Sequence, residues 1–200
     1  MAVVNGYCSV ADVRSQLTDS GARLDEALLE KAVNATSRAI EDYCGRRFWH
    51  DTDPVVRSYP AGCWDRLHVS DISTKAGVLV EVDPSRSGAW TALNTADYHL
   101  EPLNADADGG AFAWWTIAID SGPGLPISKR PLVRVTARWG WSAIPDQVNA
   151  AATLKAVSLF KRKDAPFGVA GVNAFGPVRI TRTDPDVLDL LRPFQRPLIV

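Results

Sequence analysis

Apolar residues recur at three- and four-residue steps near both ends of the chain, and at two-residue steps in its middle. The first period is that of a helix with one buried face; the second is that of a half-buried strand. Ser9 to Leu17 reads as a short helix. Ser9 is placed to cap it, and Asp12 completes a capping box with its acid near the positive end of the helix dipole. Thr18 to Gly21 reads as a turn. Leu24 to Tyr43 carries the clearest helical pattern, with Leu24, Leu28, Ala32, Ala35, Ala39 and Tyr43 on one expected face and Leu29, Val33, Thr36 and Ile40 widening it. Gly45 follows as a C-terminal cap. The alanines on that face predict close packing against another helix.

From Phe48 to about Trp141 prolines, glycines, aspartates and short β-rich runs take over. Strands are expected at Val55–Tyr59, Arg66–Val69, Val78–Val82, Tyr98–Glu101, Trp115–Asp120 and Leu132–Trp139. In the last of these Val133, Val135, Ala137 and Trp139 alternate with Leu132, Arg134, Thr136 and Arg138, giving one apolar face. Turn-rich pieces separate the strands, at Asp83 to Gly88, Asn104 to Gly110 and Ser121 to Gly124. The short spacings predict an antiparallel meander or a small barrel.

Helix returns from Pro145 to about Lys163, mostly apolar around its circumference and ending in Lys161-Arg162-Lys163, where cations suit the dipole. Ala165 to Pro177 reads as a loop and Val178–Thr183 as a short strand. Asp184-Pro185-Asp186 then caps a last short helix, Val187 to Leu191. The expected fold class is α+β: a helical framework of two N-terminal helices, one long and one short C-terminal helix, interrupted by an antiparallel Trp-rich β insert. The expected parts are residues 1–48, the insert 49–142, and 143–200, with the first and last packing as one unit. No internal repeat or low-complexity segment is visible.

At 200 residues, 46% hydrophobic and 22% charged, the chain has the composition of a globular protein able to bury a core. The formal net charge is −1, from 22 basic and 23 acidic residues. A protein that grips DNA by its phosphates carries a basic excess, so wrapping of DNA is disfavoured, whereas passive contact in a channel wall is not. Cys8, Cys44 and Cys63 are odd in number and irregular in spacing, which predicts reduced thiols and no disulfide framework. Met1 to Ser9 lacks the basic and apolar regions of a signal peptide, and no apolar run approaches the ~20 residues that span a bilayer. No membrane association is expected.

Candidate chemistry is sparse. His50, His68 and His99 stand apart, each beside a β-rich stretch, and read as structural. Asn104, Asp106 and Asp108 followed by Gly109 open like a calcium loop, but the closing acid would fall at position 115, which is Trp115. No nucleophile elbow, phosphate-binding glycine loop or dinucleotide fingerprint occurs. Asp51 and Asp53 make a weak acid/base pair with no second cluster. No catalytic residue, metal or cofactor is therefore assigned. The seven tryptophans, Trp49, Trp64, Trp90, Trp114, Trp115, Trp139 and Trp141, all lie in or beside the β insert. Core packing, a contact surface for another subunit and a sugar-stacking platform remain open for them.

Tyr7-Cys8-Ser9-Val10-Ala11-Asp12-Val13, the helix from Leu24 to Ile40 and Tyr43-Cys44-Gly45-Arg46-Arg47-Phe48 resemble the N-terminal half of the head–tail connector (adaptor) proteins of tailed phages. So do Arg138-Trp139-Gly140-Trp141, Ile144 to Val148 with the helix ending Lys161-Arg162-Lys163, and the closing Asp184 to Leu191 with Arg192-Pro193-Phe194. The resemblance covers about half the chain, at both ends; the stretch from Asp51 to Arg130 is longer and richer in strands than in compact members. It implies a non-enzymatic virion protein that forms a ring, usually of twelve subunits, beneath the portal. Such a ring joins the portal to the next neck or tail protein (stopper, terminator or tail tube). DNA passes through its lumen without sequence-specific binding. By this analogy the tail reaches the portal, burying Phe194, Leu198, Ile199 and Val200 in a partner. The β insert, with Trp114 and Trp115, forms a rim that contacts neighbours.

Three other readings compete: a different neck protein (head completion or tail terminator), a Trp-rich β-domain binding module that grips carbohydrate, and a small enzyme of unrecognised type. The last needs a cluster of titratable groups in one pocket.

Overall fold

In the computed structural model, residues 2–17, 25–107, 113–162, 169–173, 176–179 and 184–196 are described. Helix α1 spans Val10–Ser15, and its Ser9–Asp12 capping box is complete, each side chain bonded to the other residue's backbone N–H at 2.8 and 3.0 Å. Helix α2 spans Glu26–Cys44, capped by the Asp25 side chain at one end and by left-handed Gly45, with φ of 65°, at the other. Helix α3 spans Asp146–Lys161. Pro145 is its N-cap, with ψ of 144° in the extended region, so the proline stands one position before the helix. Helix α4 spans Pro185–Leu191, begins under an Asp184 cap, and runs into a 3-10 turn at Arg192–Phe194. No helix among the described residues is long and apolar enough to cross a membrane.

The strands are β1 (Val55–Tyr59), β2 (Arg66–Ile72), β3 (Leu79–Val82), β4 (Thr91–Ala92), β5 (Tyr98–Glu101), β6 (Trp114–Ile119), β7 (Val133–Ala137), β8 (Val169–Asn173) and β9 (Gly176–Arg179). The fold is α+β, with antiparallel sheets throughout the described strand pairs. The order is β1-β7-β3-β4 in one sheet and β2-β6-β5 in another, with β8-β9 as a separate hairpin.

This corrects the expected meander: β1 and β2 both pair with strands far along the chain, β7 and β6, in a nested arrangement. The cause lies in β7, whose inward residues Val133, Val135 and Ala137 are fully buried. A strand that apolar on one face takes a central place with partners on both edges, Val135 lying opposite Arg57 on one side and Val80 on the other. The β8 strand also falls within the stretch expected to be loop. The expected strand at Val178–Thr183 begins inside β9, and its residues 180–183 lie outside the described residues, as does the expected turn at Thr18 to Gly21.

The chain divides into two compact units, residues 1–46 with 144–200, and residues 47–143. In the helical unit α2 packs on α3, and α4 packs on α3. Ala32 of α2 and Ala151, Ala152 and Ala156 of α3 are buried, so small side chains allow close approach. The buried stripe of α2 is Leu29, Ala32, Val33, Thr36, Ser37, Ile40 and Cys44. The stripe is therefore rotated from the expected face: Leu28 and Tyr43 are exposed, as is Ala35. Asn149 of α3 donates to the Tyr7 carbonyl at 2.8 Å, and the Tyr7 hydroxyl donates to Glu41 at 2.6 Å, tying the N-terminal segment to both helices. Arg196 N–H donates to the Cys44 carbonyl at 2.9 Å, fixing the root of the C-terminal tail at the end of α2.

Candidate interaction surfaces

The tryptophans sort by burial into three groups, all within the β unit. Trp139, Trp141 and Trp114 are core residues, 0%, 1% and 5% exposed. Trp139 donates its indole N–H to the Val55 carbonyl at 2.7 Å and carries the Arg57 guanidinium 4.6 Å above its ring. Trp141 donates to the buried Asp71 carboxylate at 2.9 Å and meets Phe48 edge-on at 5.0 Å. Between them Gly140 has φ of 111°, and a Cβ there would stand 1.8 Å from the Trp49 carbonyl oxygen. The Trp-Gly-Trp sequence is therefore a backbone requirement: two inward indoles flank a close approach of two chain segments.

Half-buried Trp49, Trp90 and Trp115 form the second group. Arg47 lies 4.0 Å over Trp49 and pairs with Asp51 at 2.7 Å. Arg134 lies 4.6 Å over Trp90 while gripping Glu81 with two bonds, at 2.7 and 2.8 Å. The Arg134 hydrogen bonds hold the Glu81 carboxyl below its ordinary range. Trp64 alone makes the third group, at 58% exposed. It stands between β1 and β2, its carbonyl accepting from Leu125 at 2.8 Å; Ile127, 66% exposed, is bridged to Ala61.

Of the residues expected at partner interfaces, Trp114 is in the core, Trp115 is half-buried on β6, and Phe194 is 3% exposed. Leu198, Ile199 and Val200 lie outside the described residues. The histidines bond locally. His50 contacts the Trp141 carbonyl at 3.2 Å, His68 the Thr116 hydroxyl at 3.0 Å, and His99 the Asp120 carboxylate at 2.7 Å, with Glu101 3.7 Å from its other nitrogen. Asp51 is the partner of Arg47. Asp106 pairs with Lys75 at 3.2 Å, and the rest of the calcium-like loop, from position 108, lies outside the described residues. Among the described residues no group of three or more His, Cys, Asp or Glu could hold a metal ion. Burial pushes the Cys8 and Cys44 thiols up to about 11, whereas Cys63 is exposed.

No protein-family model matches the chain, and no curated protein matches it. Solved structures do. A chain from the neck of the empty gene transfer agent (GTA) particle, computed with C6 symmetry, superposes with a TM-score of 0.60 at 20% identity, covering 100% of this chain and 95% of its own. One from the virion of the native GTA particle gives 0.58 at 19% identity, covering 100% and 95%. A third, from the neck of the native GTA particle computed with C12 symmetry, gives 0.58 at 18%, covering 100% and 94%. The fold is shared with GTA neck chains. The likeness runs through both units, including the β-rich stretch for which the sequence offered no counterpart.

Two surface features escape sequence reasoning. One is exposed Trp64, set among Gly62, Cys63 and Asp65 in a segment with no alternation, which is the signal that it does not face a core. The other is the open apolar row on α2 made by Leu28, Ala35 and Tyr43. Its signal is the excess of apolar positions on α2, more than one buried stripe can use.

Proposed function

We propose that this chain is a structural, non-enzymatic protein of the neck of a phage-like particle, acting there as a head-to-tail connector (adaptor). The observation that carries the reading is the full-length likeness to GTA neck chains, 100% of this chain against 95% of that one. In this reading the protein forms a ring, of twelve subunits by analogy with the C12 neck. The ring stacks beneath the portal and joins it to the next neck or tail protein. DNA passes through the lumen, and the near-zero net charge suits a conduit that must not hold phosphates tightly.

The helical unit supplies the framework. The tail beyond Arg196 reaches the portal through Leu198, Ile199 and Val200, and buried Phe194 fixes its root. The β unit forms the rim, where Trp115 meets a neighbour and buried Trp114 holds β6 in place. Removing residues 197–200 leaves Phe194 in its core and separates docking from folding; portal binding that survives this deletion refutes the docking role.

The test of the whole reading is negative-stain imaging of the protein mixed with the portal protein of the same particle. A new ring layer on the portal is expected, and its symmetry gives the subunit number. Two folded proteins that never form the layer overturn the connector role. A layer that forms only on a later neck component assigns the chain to head completion or tail termination instead.

A further inference from the structure

Helix α2 carries an apolar row that its own unit leaves open. Leu28 and Tyr43 are 41% and 37% exposed. Between them Ala35 is exposed and Ala39 half-buried. The row borders a cleft of about 230 Å3 between α2, α3 and α4, walled by Ala39, Leu159 and Leu191 among others. A second hollow of about 310 Å3 continues it along α2 toward Leu28, sharing Ala35 and Leu159.

One polar atom is stranded in this lining. Thr36 is 1% exposed, and its Oγ1 has no hydrogen-bond partner. An unsatisfied buried hydroxyl is costly, and an occupant that donates to it recovers that cost. The charged walls are Lys155, Arg162 and Asp184 in the first hollow and Lys31 in the second, three cations to one acid, so a carboxylate beside the occupant is favoured. The cleft thus asks for a large apolar group with one N–H donor and an acid next to it. Indole is the side chain of that description, being donor-only.

Trp64 meets each requirement. Its indole is open to solvent, and Asp65 follows it directly. Tryptophan so exposed is unusual on a free surface and is enriched where proteins meet. We propose that the α2–α3–α4 cleft of one copy receives the Trp64 indole of a second copy. In that contact a turn of the Thr36 side chain about χ1 brings the buried Oγ1 to the cleft surface, where Nε1–H donates to it, and Asp65 lies against Lys155. The inference rests on the ring reading above and deepens it by naming the contact between subunits. Knob and cleft are different surfaces, so each copy offers one and accepts the other. Such a heterologous contact closes into a ring when its rotation allows.

Cys63, the exposed cysteine beside Trp64, supplies the test. Ala35 is exposed on the cleft wall, so Ala35→Cys keeps the fold and places a thiol where Cys63 of the neighbour would arrive. Portal complexes of this variant are oxidised and run without reductant. The expected result is a ladder of oligomers, each copy joined through Cys63 to the introduced thiol of the next. The ladder is absent when Ala35 is retained and lost with Trp64→Ala. Trp64→Ala should also raise the concentration needed for layering at least tenfold, and Thr36→Val should raise it less.

A layer that forms without the ladder, or a ladder indifferent to Trp64→Ala, overturns the contact while leaving the connector reading intact. So does a disulfide that migrates as a monomer. Failure of the layer itself refutes the connector reading. The contact is then judged on concentrated free protein, where absence of the intermolecular disulfide refutes it as well.

Discussion

Replacing Gly140 with alanine should cost the β unit several kcal/mol. At φ of 111° an alanine is strained, and its Cβ would lie 1.8 Å from the Trp49 carbonyl oxygen, 2.7 Å from the Trp49 carbonyl carbon and 2.9 Å from the His50 Cα. These are backbone atoms, so no rotamer change relieves the overlap, and the Trp49–His50 segment must move by more than 1 Å. That segment is held in place by Asp51 N–H donating to the Trp139 carbonyl at 2.9 Å and by Arg47 donating to the same oxygen at 2.9 Å. Gly140 N–H in turn donates to the Asp71 carbonyl at 2.7 Å. Backbone strain of this kind costs on the order of 1–3 kcal/mol, and two lost hydrogen bonds add roughly 1 kcal/mol each, giving about 3–5 kcal/mol together. All seven tryptophans lie within residues 47–143, so indole fluorescence during urea unfolding reports this unit. With a urea slope of about 1–2 kcal/mol/M, the midpoint should fall by about 1.5 M or more. Gly62→Ala is the control, since a Cβ there meets nothing within 4 Å. A Gly140→Ala midpoint as close to wild type as that of Gly62→Ala would refute the reasoning.

The Glu81–Arg134 pair predicts an acid limb. The folded pKa of Glu81 is lowered, first by the Arg134 hydrogen bonds, so the unfolded chain takes up the proton more readily. The pair's stabilisation is present above the unfolded value, about pH 4.3, and is lost as pH falls through the folded value. Glu81→Gln should therefore flatten the fall in urea midpoint between about pH 5 and 3; an unchanged slope would count against it. Ser9→Ala removes the α1 cap and should destabilise the helical unit by about 1 kcal/mol, read by far-UV circular dichroism during unfolding. Thiol titration of the native protein at pH 8 should show one fast group, Cys63, with Cys8 and Cys44 reacting only after denaturation; three fast thiols would contradict their burial. Trp115→Ala, in a protein that still folds, should weaken ring assembly if β6 lies on the rim, whereas Trp114→Ala should lower stability by about 3–5 kcal/mol.

Local signals were legible wherever one residue decides the geometry. The Ser9–Asp12 box, the Asp184 cap, left-handed Gly45 and the alternation of β7 all follow from the sequence and recur in the structure. Pairing was not legible. The order β1-β7-β3-β4 joins strands that begin nearly 80 residues apart, from Val55 to Val133, and alternation says which face a strand buries without saying against which partner. The rotation of α2 was hidden because Leu28, Ala35 and Tyr43 compete with Leu29, Val33 and Ile40 for the inward face, and alanine packs equally well on either. The roles of the tryptophans were hidden for a similar reason, since a core indole and an exposed one share a residue type. Only the neighbours separate them: Trp139 sits in an alternating strand, Trp64 among Gly62, Cys63 and Asp65.

About four residues in five differ between this chain and the GTA neck chain that covers it end to end, yet the fold is common. What survives such divergence is pattern and backbone geometry, because cores tolerate exchange among apolar residues when volume and period are kept. In this chain that pattern is carried by the alanine-lined α2–α3 contact and the inward row of β7. The open row on α2 and the Trp64 tip are of another kind. Neither is needed to bury the core of its own unit, so neither is held in place by folding. Surfaces free of that constraint are the ones a subunit can tune to its neighbours. An apolar cleft with a stranded hydroxyl and an exposed indole would each be a liability on an isolated chain, and the contact proposed between copies would remove both.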